Sequence, residues 1–204
     1  MTRIQRFALL IAAGAAISLV VTGCVQGDPH PSQSATLSQP KPTHTAVAAP
    51  TSSDEAWVEA NKAIESFTRV QYEIEHDGGA GADRIDAIAI NGARSSMTQI
   101  AADLSAKSLK IVGGAPNWQP NAAASSFGTL IDVDGKQYAN GIVYARGCWD
   151  LSKQSSIAST GTAPPDRSVK VFPIQFNVGY SPTLHAWRVT DQTNITGQSG
   201  APQC

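Results

Sequence analysis

The spacing of apolar residues changes character twice along this chain. Residues 8–21 form one nearly unbroken apolar run, and residues 25–53 hold hardly a large apolar side chain. From residue 54 apolar positions recur, first at helical and then at strand spacing. Ser52 followed three positions later by Glu55 is a capping-box pattern, and Trp57, Ala60, Ile64, Phe67 and Ile74 follow it at helical spacing. The spacing predicts one amphipathic helix with Glu59–Lys62 and Glu65–Arg69 paired on its solvated face, ended by Gly78, Gly79 and Gly81. Ile85 to Ile90 predicts one or two helical turns. A second helix carries Met97, Ile100, Ala101 and Leu104 as its buried stripe.

Beyond Leu109 the pattern turns to strands. Leu109, Ile111 and Val112 begin it weakly, and the glycines and prolines of 113–120 read as loop. Phe127 to Val133 leads into Asp134-Gly135, a dipeptide suited to a tight turn. Ile142, Tyr144, Arg146 and Cys148 then alternate with Val143, Ala145, Gly147 and Trp149, and Phe172, Ile174, Phe176 and Val178 repeat with period two. Pro173 inside that run suggests an edge strand or a bulge. Leu184 to Val189 predicts a further strand. Helices in front and antiparallel strands behind predict an α+β domain over 54–204, its N-terminal helices packed on a strongly curved antiparallel sheet.

The first 53 residues carry a different message. Arg3 and Arg6 precede the run Ala8–Val21, which ends in Val21-Thr22-Gly23-Cys24. As a helix that run would reach roughly 21 Å, short of the ~30 Å hydrocarbon core, so a retained membrane span is a poor reading. A positive n-region, a short apolar stretch and a small residue before cysteine instead fit a bacterial lipoprotein signal over 1–23, with Cys24 as the lipidated residue. A plain secretory signal is the alternative. Val25 to Ser53, with Pro29, Pro31, Pro40, Pro42 and Pro50 among serine and threonine, reads as a tether too polar to fold alone. His30 and His44 within it are isolated.

Lipidation of Cys24 leaves Cys148 and Cys204. Outside the cytoplasm two thiols are most simply one disulfide, the alternative being two free thiols that are reactive or bind metal. Losing Arg3 and Arg6 lowers the 15 basic residues to 13 against 16 acidic ones, a formal charge of −3. That balance, without a basic stripe, argues against nucleic acid as a partner. It also leaves membrane attachment to the acyl chains alone.

Motifs of chemistry are sparse. Asp132-Val133-Asp134-Gly135 has the opening of a calcium loop, but position twelve is Val143 where glutamate is needed. Asn194-Ile195-Thr196 fits a glycosylation acceptor, a pattern of little meaning beside a bacterial lipobox. There is no phosphate-binding glycine loop, nucleophile elbow or HExxH, so no cofactor or metal is expected and the catalytic residues are unknown.

Cys148-Trp149-Asp150-Leu151-Ser152, Trp187-Arg188-Val189 and the final Cys204 together resemble secreted actinobacterial lipoproteins with a nuclear transport factor 2-like domain. The resemblance covers roughly residues 54–204. It implies a cone in which helices cap a bent sheet and leave a pocket at the wide end, and it too implies a Cys148–Cys204 pair. Enzymes of that fold set an acidic base opposite a tyrosine or histidine donor, which makes Tyr72, Tyr144, Asp150 and His185 the candidate pocket residues. None has a diagnostic spacing, and two have plainer readings, Asp150 as a turn or strand-end carboxylate and His185 as a surface or packing side chain.

The expectation is therefore a non-catalytic lipoprotein on the outer face of the cytoplasmic membrane, binding a small apolar ligand or an envelope protein. A small isomerase or hydrolase-like enzyme, and a phage or prophage lipoprotein acting in superinfection exclusion, are the alternatives.

Overall fold

The computed structural model describes residues 46–158 and 169–204. Val21, Thr22, Gly23 and Cys24 lie outside these, as do His30 and His44. Helix α1 spans Ser53–His76. Ser52 caps it by accepting from the Glu55 N–H, while the Glu55 carboxylate turns to the Thr51 N–H and hydroxyl at 2.8 and 2.6 Å. Lys62 pairs with Glu59 at 2.6 Å, whereas Glu65 and Arg69 do not pair. The buried stripe is Ala56, Ala60, Ile64, Phe67, Val70 and Ile74, with Trp57 only partly covered at its edge. At the helix end the Gly79 N–H closes on the Ile74 carbonyl, and a side chain at Gly79 would collide with the Ala101 carbonyl. That glycine sets how closely α1 approaches helix α2, Asn91–Ala106. A 3-10 turn over Ala82–Ala87 joins the two helices and buries Ile85.

Seven strands follow: β1 Leu109–Gly113, β2 Asn117–Pro120, β3 Ser126–Ile131, β4 Gln137–Asp150, β5 Gln154–Ala158, β6 Val171–Ser181 and β7 Ala186–Asn194. All pairings between strands are antiparallel. The main sheet runs β2-β4-β6-β7, with β3 also on β4, and β1 and β5 form a separate ribbon. Pairing registers put β3 along the first half of β4 and β2 along the second. Asn121 and Ser125 bond the backbone of Arg146 where one gives way to the other.

The strand pattern places Val143, Ala145, Trp149, Ile174, Phe176, Val178, Tyr180 and Val189 on the face that meets α1 and α2. Phe176 is its centre, with the rings of Trp118, Trp149 and Phe67 edge-on at 5.1, 5.5 and 6.1 Å. Trp118 reaches that cluster by crossing Gly147, where an added Cβ would fall 2.5 Å from its ring. The opposite face carries Ile142, Tyr144, Arg146 and Cys148. Cys148 and Cys204 are joined there as a disulfide, with Cα atoms 5.6 Å apart and a sequence separation of 56. Closing a loop of that length destabilises the unfolded chain by ~4 kcal/mol. Arg146 fastens the same tail, its guanidinium donating to the Gly200 carbonyl at 3.2 Å.

The structure departs from the sequence pattern at several points. The stretch 113–120 contains β2, a strand made by Trp118 packing rather than by any alternation of its own. β5 is too polar, Gln-Ser-Ser-Ile-Ala, to announce itself. Pro173 lies in a strand flanked on both sides, not at an edge. Its carbonyl accepts from Ile195 just beyond the last β7 pair, so its missing N–H faces the same side and breaks no ladder bond. The last strand is Ala186–Asn194 rather than Leu184–Val189, and a register shift leaves Thr190 as a bulge within it. The packed chain also begins upstream of residue 54: the Val47 N–H donates to the His185 carbonyl at 2.6 Å and the Val47 carbonyl accepts from Tyr180.

Candidate functional site

A cleft of about 540 Å³ opens where the end of the helix-facing sheet surface meets the two helices and the β1–β5 ribbon. Its floor is Trp149, Phe172 and Ile174, with Gln192 and Asn194 at the end of β7. Ile100 and Leu104, one turn apart on α2, form one wall, and the β1–β5 ribbon forms another through Ile111, Gln154 and Ser156. Gln71 and Glu75, also one turn apart, come from α1. This volume falls in the range of small-molecule sites, and the mixture of an apolar floor with a few polar groups is their usual composition.

The polar groups of the cleft are unequal. Gln71 is only 7% exposed, and its amide nitrogen donates to the Glu75 carboxylate at 2.9 Å. That bond fixes the amide orientation, since a carboxylate only accepts. Its oxygen Oε1 is then buried without a partner among the described residues, and so is Nε2 of Gln154. A second, smaller space of about 100 Å³ lies by Val47, Ala63 and Trp187, beside the equally unpaired Trp187 Nε1. It has room for little more than water.

The four residues expected to line a pocket are not brought together. Tyr72 stands near the cleft, but its hydroxyl donates to the Gly113 carbonyl at 2.6 Å and its ring lies 5.6 Å from that of His76. With His76 Nδ1 3.0 Å from the Ile111 carbonyl, it pins the ribbon to α1. Tyr144 and Asp150 share the opposite face of β4 from Trp149 and lie six residues apart, about 20 Å along a strand. Asp150 Oδ1 accepts from the Ser152 N–H at 2.7 Å, and the Ser152 hydroxyl and N–H hold its carboxyl below the usual range. It is a turn carboxylate whose lowered pKa makes it a weak base, poorly suited to taking up a proton near neutrality. His185 belongs to the β6–β7 turn, not to a strand, in a left-handed conformation with φ 48°. Its Nδ1 lies 3.4 Å from the Tyr180 hydroxyl, whose proton burial makes harder to remove.

Sequence reasoning passed over Gln71 and Gln154. Gln71 was findable, because it interrupts the buried stripe between Phe67 and Ile74 with a polar side chain. Gln154 had no such signal, since its position depends on β5 folding back on β1. Among the described residues no three His, Cys, Asp or Glu side chains converge on a metal position, and no helix is long and apolar enough to cross a membrane.

No family model matches the chain, and no curated protein does. Among solved structures, the intermembrane space region of the chloroplast protein ARC6 is similar with a TM-score of 0.43 and 11% identity. The alignment covers 66% of this chain and 92% of that one, and likeness at that level carries no argument about function.

Proposed function

We propose that this chain is a bacterial lipoprotein, acylated at Cys24 and held on the outer face of the cytoplasmic membrane, whose α+β domain binds a small, mainly apolar ligand without transforming it. The observation that carries the reading is the cleft over Trp149, Phe172 and Ile174. Its partly exposed apolar side chains, Phe172, Ile100, Leu104 and Ile111, offer the apolar area that drives binding, and its polar groups are placed to orient a ligand. The nuclear transport factor 2-like cone is the fold family we favour, because helices cover one end of an antiparallel sheet and leave a pocket at the other. The Cys148–Cys204 disulfide supports an oxidising compartment, as the lipobox does from the other end of the chain. Binding is favoured over turnover because Tyr144, Asp150 and His185 lie away from the cleft and make structural bonds of their own.

Native mass spectrometry of the full-length protein extracted from its own membranes tests this. A noncovalent adduct of a few hundred daltons, released by denaturation, is the expected result. A protein that is ligand-free after gentle extraction, and that takes up nothing from a total lipid and metabolite extract, contradicts it.

A further inference from the structure

Resting on that reading of the cleft, we infer that its ligand is an uncharged molecule carrying a hydrogen-bond donor beside an acceptor on an apolar body, most simply a carboxamide. The two unpaired groups are opposite in kind: Gln71 Oε1 accepts and Gln154 Nε2 donates. Both residues line the same cleft. A buried polar atom without a partner is costly, and the cost is removed by a group that completes it. A carboxamide does so twice, its N–H donating to Gln71 Oε1 and its carbonyl accepting from Gln154 Nε2, with the rest of the molecule over Trp149 and Phe172.

Charged ligands match less well. A carboxylate meets Lys170 as well as the Glu75 carboxylate on the cleft lining, but it brings no donor for Gln71 and so leaves that oxygen unpaired. An ammonium brings no acceptor for Gln154. An ester of the same shape satisfies Gln154 and leaves Gln71 unpaired.

The test uses the full-length protein in nanodiscs and four probes of one shape: 4-phenylbutanamide, 4-phenylbutanoate, 4-phenylbutylamine and methyl 4-phenylbutanoate. Indole fluorescence reports affinity, and nuclear magnetic resonance follows the Gln154 side-chain amide. The amide is expected to bind at least about tenfold more tightly than each of the others, with its arrival shifting the Gln154 amide signal. Gln71→Leu should bring the ester level with the amide, and Gln154→Leu should weaken both alike. The Gln154 signal in the unaltered protein decides the matter should Gln71→Leu fail to fold. Four probes binding equally would overturn the inference and leave an unselective apolar cleft. No binding by any probe, with an adduct still present in protein from native membranes, would also overturn it, whereas no adduct either would remove the cleft reading beneath it.

Discussion

Replacing Phe176 by alanine is expected to cost about 3–5 kcal/mol, the loss typical of deleting a buried aromatic side chain. The ring is fully buried and touches three other aromatic rings from three elements: Phe67 on α1, Trp118 on β2 and Trp149 on β4. Its removal leaves a void that none of these can fill alone. Trp118 is held by a bond from its Nε1 to Asn61 at 3.1 Å and by its seat over Gly147, and Trp149 also forms the cleft floor. A domain of this size has roughly 5–15 kcal/mol of stability in all, so the variant should sit near the edge of folding. Urea denaturation checks it: the midpoint should fall sharply while the slope is kept. An unfolding free energy within about 0.5 kcal/mol of the parent's would show that the helices do not depend on this contact.

The second large effect is on location. Cys24→Ala should move the protein from the membrane fraction to the soluble one almost completely, because acyl chains at about 0.8 kcal/mol per buried methylene are the only anchor proposed. Among the described residues no helix offers a substitute. The domain should fold unchanged, with the Cys148–Cys204 bridge intact by mass in the absence of reductant. Persistence of the variant in washed membranes would contradict acylation as the attachment and point to a bound partner instead.

What could be read in advance follows from how locally each feature is determined. The stripe on α1 and the alternation in β4 and β6 are written by neighbouring residues, because one face of each is buried along most of its length. The Cys148–Cys204 bridge was legible from cysteine number and compartment, with free thiols as the rival that the structure removes. β2 and β5 were not legible, since one is short and held by a single tryptophan and the other is polar and paired outside the main sheet. The cleft depends on β5, which lines it through Gln154, Ser155 and Ser156. That is why the residues chosen from sequence, Tyr144 and Asp150 above all, were selected by chemical type and then fell on the opposite face of their strand. A glutamine among apolar positions, Gln71, was the better signal.

The central claim is that the cleft over Trp149 is where this domain binds its ligand. Leu104→Trp tests it most directly, because a larger side chain on α2 would fill that space while leaving the buried core contacts of the helix at Ala93, Met97 and Ala101 in place. Native mass spectra of the parent and variant, both extracted from native membranes, should show the adduct in the first and not in the second, at unchanged thermal midpoint. Equal occupancy of the two proteins would contradict the account.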